Sequence, residues 1–190
     1  MVAFADKPLL HFSTTQAWRA FLESDPPDSG VRLKLVKKDT VGEGITWQQA
    51  LDEALCFGWI DGQAGAAVDG YRVVSFSPRR KNSPWSQINC GHVERLVAEG
   101  RMTPAGQAEI DRAKADGRWD AAYRVKDAMP SPEFRAALDA SPTASAAFDA
   151  MTKQNRFAMI FRLGQLKRAE SRTKRIAEYI AMLERGETIY

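Results

Sequence analysis

From residue 81 onward, four pairs place a serine or threonine directly before a proline: Ser83-Pro84, Thr103-Pro104, Ser131-Pro132 and Ser141-Pro142. The hydroxyl oxygen can accept a hydrogen bond from an unpaired N–H of a first helical turn, and proline at that turn loses no needed donor. Each pair therefore predicts a helix start. The spacing of Thr46 and Gln49 is that of a capping box and predicts one more.

Hydrophobic periodicity supplies the elements before residue 81. Apolar residues at helical spacing predict a first helix over residues 14–24, and apolar–polar alternation over 31–37 predicts a strand. Two further strands are predicted over 57–61 and 71–76. The small, Gly/Ala-rich run between them, residues 62–70, predicts a loop or hairpin.

The remainder of the chain is predicted to be helical. The expected helices lie near residues 84–99, 104–115, 131–139, 142–150, 152–166 and 170–185. This order predicts an α+β fold with a small antiparallel or mixed β-sheet in the N-terminal half and a helical C-terminal half. We expect a core domain over residues 1–128 and a helical tail module over residues 129–190 packed on it.

The composition is that of a globular chain, because 44% of the residues are hydrophobic and 27% are charged. The net charge of +3 hides an asymmetry. Residues 1–150 carry 18 Lys/Arg and 20 Asp/Glu, whereas residues 151–190 carry 9 and 4. A basic C-terminal end is typical of a solvated helix face or of a surface that attracts nucleic acid or acidic ligands.

The cysteines and the N-terminus bear on the compartment. Two cysteines, Cys56 and Cys90, do not make a disulfide scaffold at this length. The N-terminus lacks a basic region followed by a long apolar run, and no apolar stretch of membrane-spanning length occurs. A cytoplasmic protein with free thiols and no membrane span is therefore predicted. No zinc-ligand spacing, Walker loop or dinucleotide-binding glycine motif occurs, so we expect no metal and no cofactor.

Residues 54–89 combine aromatic, acidic, basic and thiol side chains more densely than any other stretch. We predict that this stretch forms a pocket for a small anionic or aromatic molecule. The predicted ligand-binding residues are Lys38, Trp59, Asp61, Arg79, Arg80, Ser83, Trp85 and Asn89.

Each of these residue types suits a part of the predicted pocket. Arg79 and Arg80 offer planar guanidinium groups that match phosphate or carboxylate. A helix start at Ser83 would add backbone N–H donors and a partial positive charge. Trp59 and Trp85 would form walls. The alternative is that the tryptophans are core residues.

Other structural roles are also open in this stretch. The arginines can pair with Asp61 or Asp69 instead of a ligand. Paired lysines at positions 37 and 38 are often solvated charges at a strand end. Asp61 and Asn89 would orient a ligand if the pocket forms.

An enzymatic alternative uses two candidate catalytic residues, and enzyme activity is left uncertain. Asp61 follows an aromatic run that is expected to be buried, and burial would suit it to acid/base chemistry. Cys56 would need an activating neighbour to act as a nucleophile. A paired or turn-capping carboxylate and a buried inert thiol are the structural alternatives.

The basic C-terminal helix suggests a different class of function. Arg168, Arg172 and Arg175 are spaced to share one helix face, which could track the phosphates of a nucleic acid or bind a protein. No recognisable DNA-reading motif accompanies them. The alternative is a solvated helix face.

Several strings resemble one bacterial family. They are ALCFGWIDG at 54–62, SPRR at 77–80, SPWSQIN at 83–89, GRMTPAG at 100–106 and, more loosely, KRAESRTKR at 167–175. These segments resemble the YdeI/OmpD-associated, or bacteriocin-protection, proteins, over roughly residues 30–185 of this chain. The resemblance implies a role in tolerance of antimicrobial peptides or in the stress response, and it implies no catalytic residue.

Overall fold

The computed structural model describes residues 2–37 and 43–189, the side chain of Lys126 excepted. The chain forms two compact units, Met1–Ala122 and Tyr123–Tyr190. Within the described ranges, no helix combines the length and the apolar character that crossing a membrane requires.

The N-terminal unit is built on a four-stranded mixed sheet. Its strands are β1 (Leu9–His11), β2 (Val31–Leu35), β3 (Trp59–Val68) and β4 (Tyr71–Pro78). Their order is β1-β2-β4-β3, with β1 and β2 parallel and the other pairs antiparallel. The prediction of an α+β fold with a small mixed sheet in the N-terminal half is thus confirmed.

Alternation of side chains explains how β2 lies in this sheet. Val31, Leu33 and Leu35 are buried, while Arg32 and Lys34 between them are only partly so. A strand with one apolar face needs a cover for that face. Here the core beneath the sheet contains Trp18 of the first helix, Leu51 and Leu55 of the second, and their neighbours.

The hairpin of β3 and β4 differs from the prediction in its length. The strand begins at Trp59, because Gly58, at φ +73°, terminates the preceding helix. It then continues through the Gly/Ala-rich run to Val68, with two register shifts against β4. Only Asp69 and Gly70 form the turn, and both have positive φ, as both central residues of a type I′ hairpin turn do.

Among the described residues of the N-terminal unit there are four α-helices: α1 (Thr15–Glu23), α2 (Trp47–Cys56), α3 (Gln87–Ala98) and α4 (Pro104–Ala115). The predicted capping box of α2 is present. Thr103 caps α4 as predicted, with Pro104 in the first turn.

The prediction of a helix start at Ser83-Pro84 is wrong. The helix α3 begins at Gln87, and its capping hydroxyl belongs to Ser86, which accepts a hydrogen bond from the Asn89 N–H. The Ser83 hydroxyl instead accepts a hydrogen bond from the Arg80 N–H at 2.9 Å. The pair therefore lies in a turn that precedes the helix, and it presents no helix N-terminus.

The C-terminal unit contains α5 (Pro132–Asp139), α6 (Pro142–Ala150), α7 (Lys153–Gly164) and α8 (Ala169–Glu184). Ser131 and Ser141 cap the first two, as predicted. The amphipathic faces of the four helices bury one apolar cluster. Its buried members are Phe134, Leu138, Ala144, Phe148, Met159, Leu163, Tyr179 and Leu183.

Candidate functional site

Arg79 lies at the end of β4, and its side chain is involved in local structure. Its guanidinium carbon lies 3.6 Å from the centre of the Trp85 ring, and its Nη1 donates a hydrogen bond to the Pro84 carbonyl at 3.2 Å. A guanidinium over an indole face contributes through a cation–π interaction. Only 6% of Arg79 is exposed, so this contact closes the turn between Arg79 and Trp85.

The two tryptophans of the predicted pocket are buried in the core of the N-terminal unit. Trp59 is 5% exposed and meets the ring of Trp18 edge-on at 6.2 Å. Trp85 is 2% exposed and packs against Trp119 at 5.0 Å. Other side chains of the core therefore pack against both indole rings.

Asp61 is held by a neighbouring indole. Trp47 donates its Nε1 hydrogen to Asp61 Oδ2 at 3.1 Å. Burial raises the pKa of the Asp61 carboxyl above its usual value, while the hydrogen bond from Trp47 and the charges of Arg79 and Arg72 partly oppose the rise. A proton therefore binds Asp61 more readily than an exposed aspartate, and an acid/base role stays a prediction.

A cleft of about 440 Å³ is lined in part by Arg79 and Arg80, and we name it the Lys7–Arg80 cleft. Three stretches contribute: the N-terminal segment before β1, the turn before β2, and the end of β4 with the residues after it. The lining residues are Val2, Lys7, Asp28, Ser29, Ser77, Pro78, Arg79 and Arg80. Of the predicted site residues, the cleft thus brings together Arg79 and Arg80.

Glycine allows two of these stretches to approach each other. Gly30 has φ +76°, and a Cβ placed on it would lie 2.6 Å from the Cβ of Ser77. No larger residue fits between the turn and β4 without moving one of them. Ser29 from the turn and Ser77 from β4 both line the cleft.

Lys7 is a charged residue of the cleft that the sequence did not reveal. Partial burial lowers the pKa of the Lys7 ammonium, and the positive charge of Arg80 lowers it further. The positive charges of Lys7 and Arg80 therefore repel each other. Lys7 carries no local motif, and only the parallel pairing of β1 with β2 brings its segment beside the turn at Asp28.

The other predicted site residues do not line this cleft. The Ser83 carbonyl accepts a hydrogen bond from Arg118 at 2.8 Å, and Asn89 lies in the first turn of α3. Asp69, considered as a partner for the arginines, pairs with Lys34 at 2.5 Å. Lys38 lies outside the described residues.

Both thiols are buried, and neither is in a disulfide. Burial raises the pKa of Cys56 to about 11, with the Glu53 carboxylate adding to the rise, and burial raises the pKa of Cys90 to about 11 as well. A thiol with such a pKa is almost wholly protonated near neutral pH, and the thiolate is the reactive form.

We therefore expect iodoacetamide to modify neither Cys56 nor Cys90 at an appreciable rate at pH 7 in the folded protein. Denaturant should restore ordinary reactivity at both sites, which peptide mass spectrometry can follow. Rapid modification of Cys56 in the folded protein, with Cys90 unmodified, would contradict this expectation and revive the nucleophile hypothesis.

The arginines of α8 have intramolecular partners. The Arg172 guanidinium donates to the carbonyls of Leu166 at 2.9 Å and Lys167 at 3.2 Å. Arg175 pairs with Glu178 at 2.9 Å. Arg168 is exposed at the position that precedes the helix. Binding of nucleic acid or protein by this face stays a prediction.

An ionic network on α2 was also missed from the sequence. Glu53, with 8% of its side chain exposed, binds Arg19 at 2.9 Å and Arg101 at 2.7 Å. Its neighbour Asp52 binds Arg95 at 2.7 Å. Two adjacent acids in a helix resemble a solvated face, and only the tertiary fold brings three arginines to them. Both carboxylates therefore have ion-pair partners within the protein and stabilise the fold.

The described residues contain no group of three or more His, Cys, Asp or Glu side chains arranged to hold a metal ion. The cleft itself is lined by amine, guanidinium, hydroxyl and carboxylate groups. Such a set can bind and orient an anion.

The fold defines an α+β unit with a cationic cleft, followed along the chain by a helical unit. The chain belongs to the family described as Domain of unknown function (DUF8412), whose model matches residues 10–109. Residues 128–186 match the OmdA model, described as Bacteriocin-protection, YdeI or OmpD-Associated. The resemblance to the YdeI/OmpD-associated family is thus confirmed for the C-terminal unit. The four strings between residues 54 and 106 that also suggested it lie within the DUF8412 match instead.

No match was found among the curated proteins or among the solved structures.

Proposed function

We propose that the N-terminal unit binds a small anion in the Lys7–Arg80 cleft. The observation that carries this proposal is the placement of Lys7 and Arg80 in one cleft of about 440 Å³. Holding two like charges together raises their electrostatic energy, and an anion between them reverses the sign of that interaction. The cleft volume is within the range of small-molecule sites.

The lining also indicates the chemical character of the ligand. Ser29 and Ser77 add hydroxyl groups and Asp28 adds one carboxylate, while Arg79 adds positive charge from the wall with its guanidinium held on the Trp85 ring. A carboxylate or phosphate group would suit the cations, and a hydroxyl on the ligand would suit Asp28 as a donor. Because Trp59 and Trp85 are buried, these groups favour an anionic ligand over an aromatic one.

The family description supports a wider role. We propose that anion binding serves protection against bacteriocins or related stress, as the description of the C-terminal family suggests. A strain lacking the protein should show greater sensitivity to an antimicrobial peptide, and the wild-type chain should restore tolerance. Restoration by a variant that does not bind anions would separate the two parts of this proposal.

Substitution of Arg80 by Gln is expected to weaken the binding of phosphate or pyruvate by roughly tenfold or more, because a hydrogen bond to a charged group contributes about 1.5–3 kcal/mol. Lys7→Gln should act in the same direction. Isothermal titration calorimetry at low salt measures both effects, and added salt should weaken binding to the wild type.

Lys81→Gln is the matched control, since Lys81 is exposed in the same turn but does not line the cleft. It removes the same formal charge and should leave the affinity nearly unchanged. An equal loss in all three variants would mean that only net charge matters. Absence of binding by the wild type to any of a panel of carboxylates and phosphates would refute the proposal.

A further inference from the structure

Lys7 differs from the other cations of the cleft in its chemistry, because an amine can form a covalent bond to a carbonyl carbon and a guanidinium does not readily do so. Among the residues that line the cleft, it is the one lysine. Within the described part of the chain, no carboxylate lies within salt-bridge distance of its ammonium group.

We propose that Lys7 forms a reversible imine with a small carbonyl compound that also carries an anionic group, such as a 2-oxo acid. The inference rests on the proposed anion binding and names the ligand class for that same cleft. Arg80 would hold the anionic group, with the positive charge of Arg79 in the wall beside it, while the Lys7 amine meets the carbonyl carbon.

The electrostatics of the cleft favour this reaction over the same reaction at a solvated lysine. Only the neutral amine attacks a carbonyl, and both burial and Arg80 lower the pKa of Lys7. The charged groups lining the cleft around it are Arg79, Arg80 and Asp28. Two of these three repel the ammonium form, so the neutral form is more populated than in solution.

The step needs no oxidant, reductant or metal. The amine nitrogen adds to the carbonyl carbon, a carbon–nitrogen bond forms, and a carbinolamine results. The former carbonyl oxygen and the two hydrogens of the amine then leave together as one water molecule, and a carbon–nitrogen double bond remains. Addition of water reverses both stages, so the adduct is a bound and releasable form of the carbonyl compound.

Reductive trapping tests the proposal. The full-length chain is incubated with pyruvate and sodium cyanoborohydride, and peptide mass spectrometry measures the reduced adduct at each lysine. We expect modification at Lys7 to be the fastest, to be lost in Lys7→Arg, and to be unchanged in Lys81→Arg. Lactate, which has the carboxylate but no carbonyl, should compete with trapping at Lys7.

A second measurement separates this inference from the proposed function. Calorimetry with lactate reports anion binding without imine formation, and unfolding followed by tryptophan fluorescence shows whether Lys7→Arg is folded. If lactate binds but pyruvate yields no preferential adduct at Lys7, the imine is refuted and anion binding stands. If neither compound binds and no preferential adduct forms, both proposals fall. Similar adduct formation at every exposed lysine also refutes the imine.

Discussion

Substitution of Gly106 by Ala is expected to lower the free energy of unfolding of the N-terminal unit by about 3 kcal/mol, because overpacking of a closely packed contact typically costs about 1–3 kcal/mol and occasionally more. A Cβ at Gly106 would lie 2.8 Å from the carbonyl carbon of Cys56, closer still to its oxygen, and 2.5 Å from Met102 Sδ. The clash is thus largely with the backbone at the end of α2, which cannot rotate away.

The same contact holds two hydrogen bonds that the substitution would strain. Thr103 donates to the Cys56 carbonyl from its backbone N at 3.2 Å and from its Oγ1 at 2.6 Å. Displacing α4 from α2 lengthens both. The loss of stability therefore combines a steric term with weaker hydrogen bonds at a buried carbonyl.

Gly91 provides a control of opposite sign. It also lies inside a helix, α3, but a Cβ there would meet no atom within 4 Å. Alanine is preferred over glycine in a helix interior by about 0.8–1 kcal/mol, so Gly91→Ala should raise the free energy of unfolding. Equal effects of the two substitutions would contradict the close contact between α4 and α2.

Tryptophan fluorescence during denaturant unfolding is the appropriate measurement. All five tryptophans, at positions 18, 47, 59, 85 and 119, fall within the unit Met1–Ala122. The signal therefore follows that unit even where the two units unfold in separate transitions, a case in which a single transition cannot be assumed. Tyr179 and the other C-terminal residues do not contribute to it.

Substitution of Glu53 by Gln should destabilise the N-terminal unit by about 2–3 kcal/mol, because removing one partner of a buried ion pair leaves the other charge uncompensated. The glutamine keeps the size of the side chain but removes the buried counter-charge that Arg19 and Arg101 share. Each arginine then keeps only a more exposed partner, Glu23 at 3.3 Å for Arg19 and Glu99 at 3.0 Å for Arg101. The expected loss is below that of a fully buried pair, since 33% of the Arg19 side chain and 34% of the Arg101 side chain are exposed.

Glu99→Gln is the matched control for this network. Glu99 pairs with Arg95 at 2.9 Å and Arg101 at 3.0 Å, but 39% of its side chain is exposed. Exposed ion pairs contribute little, because water already solvates both charges. A loss as large as that of Glu53→Gln would mean that burial is not the factor that matters here.

The helix starts show how far local signals reach. Thr103-Pro104, Ser131-Pro132 and Ser141-Pro142 each begin a helix, whereas Ser83-Pro84 lies in a turn. The local chemistry of the four pairs is the same. At Ser83-Pro84, the Ser83 hydroxyl accepts a hydrogen bond from the Arg80 N–H, and the Arg79 side chain donates one to the Pro84 carbonyl. The difference comes from neighbours that the pair itself does not specify.

The candidate site shows the same limit more strongly. Arg79 and Arg80 were predicted from their own sequence and do line the cleft, but Lys7, Asp28 and Ser29 come from other parts of the chain. No periodicity or motif connects them, because their contact depends on the pairing of β1 with β2 and of β2 with β4. Sequence reasoning therefore found one stretch of the cleft lining.

The sequence by itself determined the elements that depend on near neighbours: the caps of α2, α4, α5 and α6, the buried face of β2, the α+β class, and the likeness to the YdeI/OmpD-associated family. The tertiary structure alone decided which charges meet. It places the indoles of Trp59 and Trp85 in the core, sets three arginines against two acids on α2, and brings Lys7 to Arg80. Caps and periodicities act over a few residues, whereas these contacts join residues that are distant in sequence and close only because the sheet and the helices pack together.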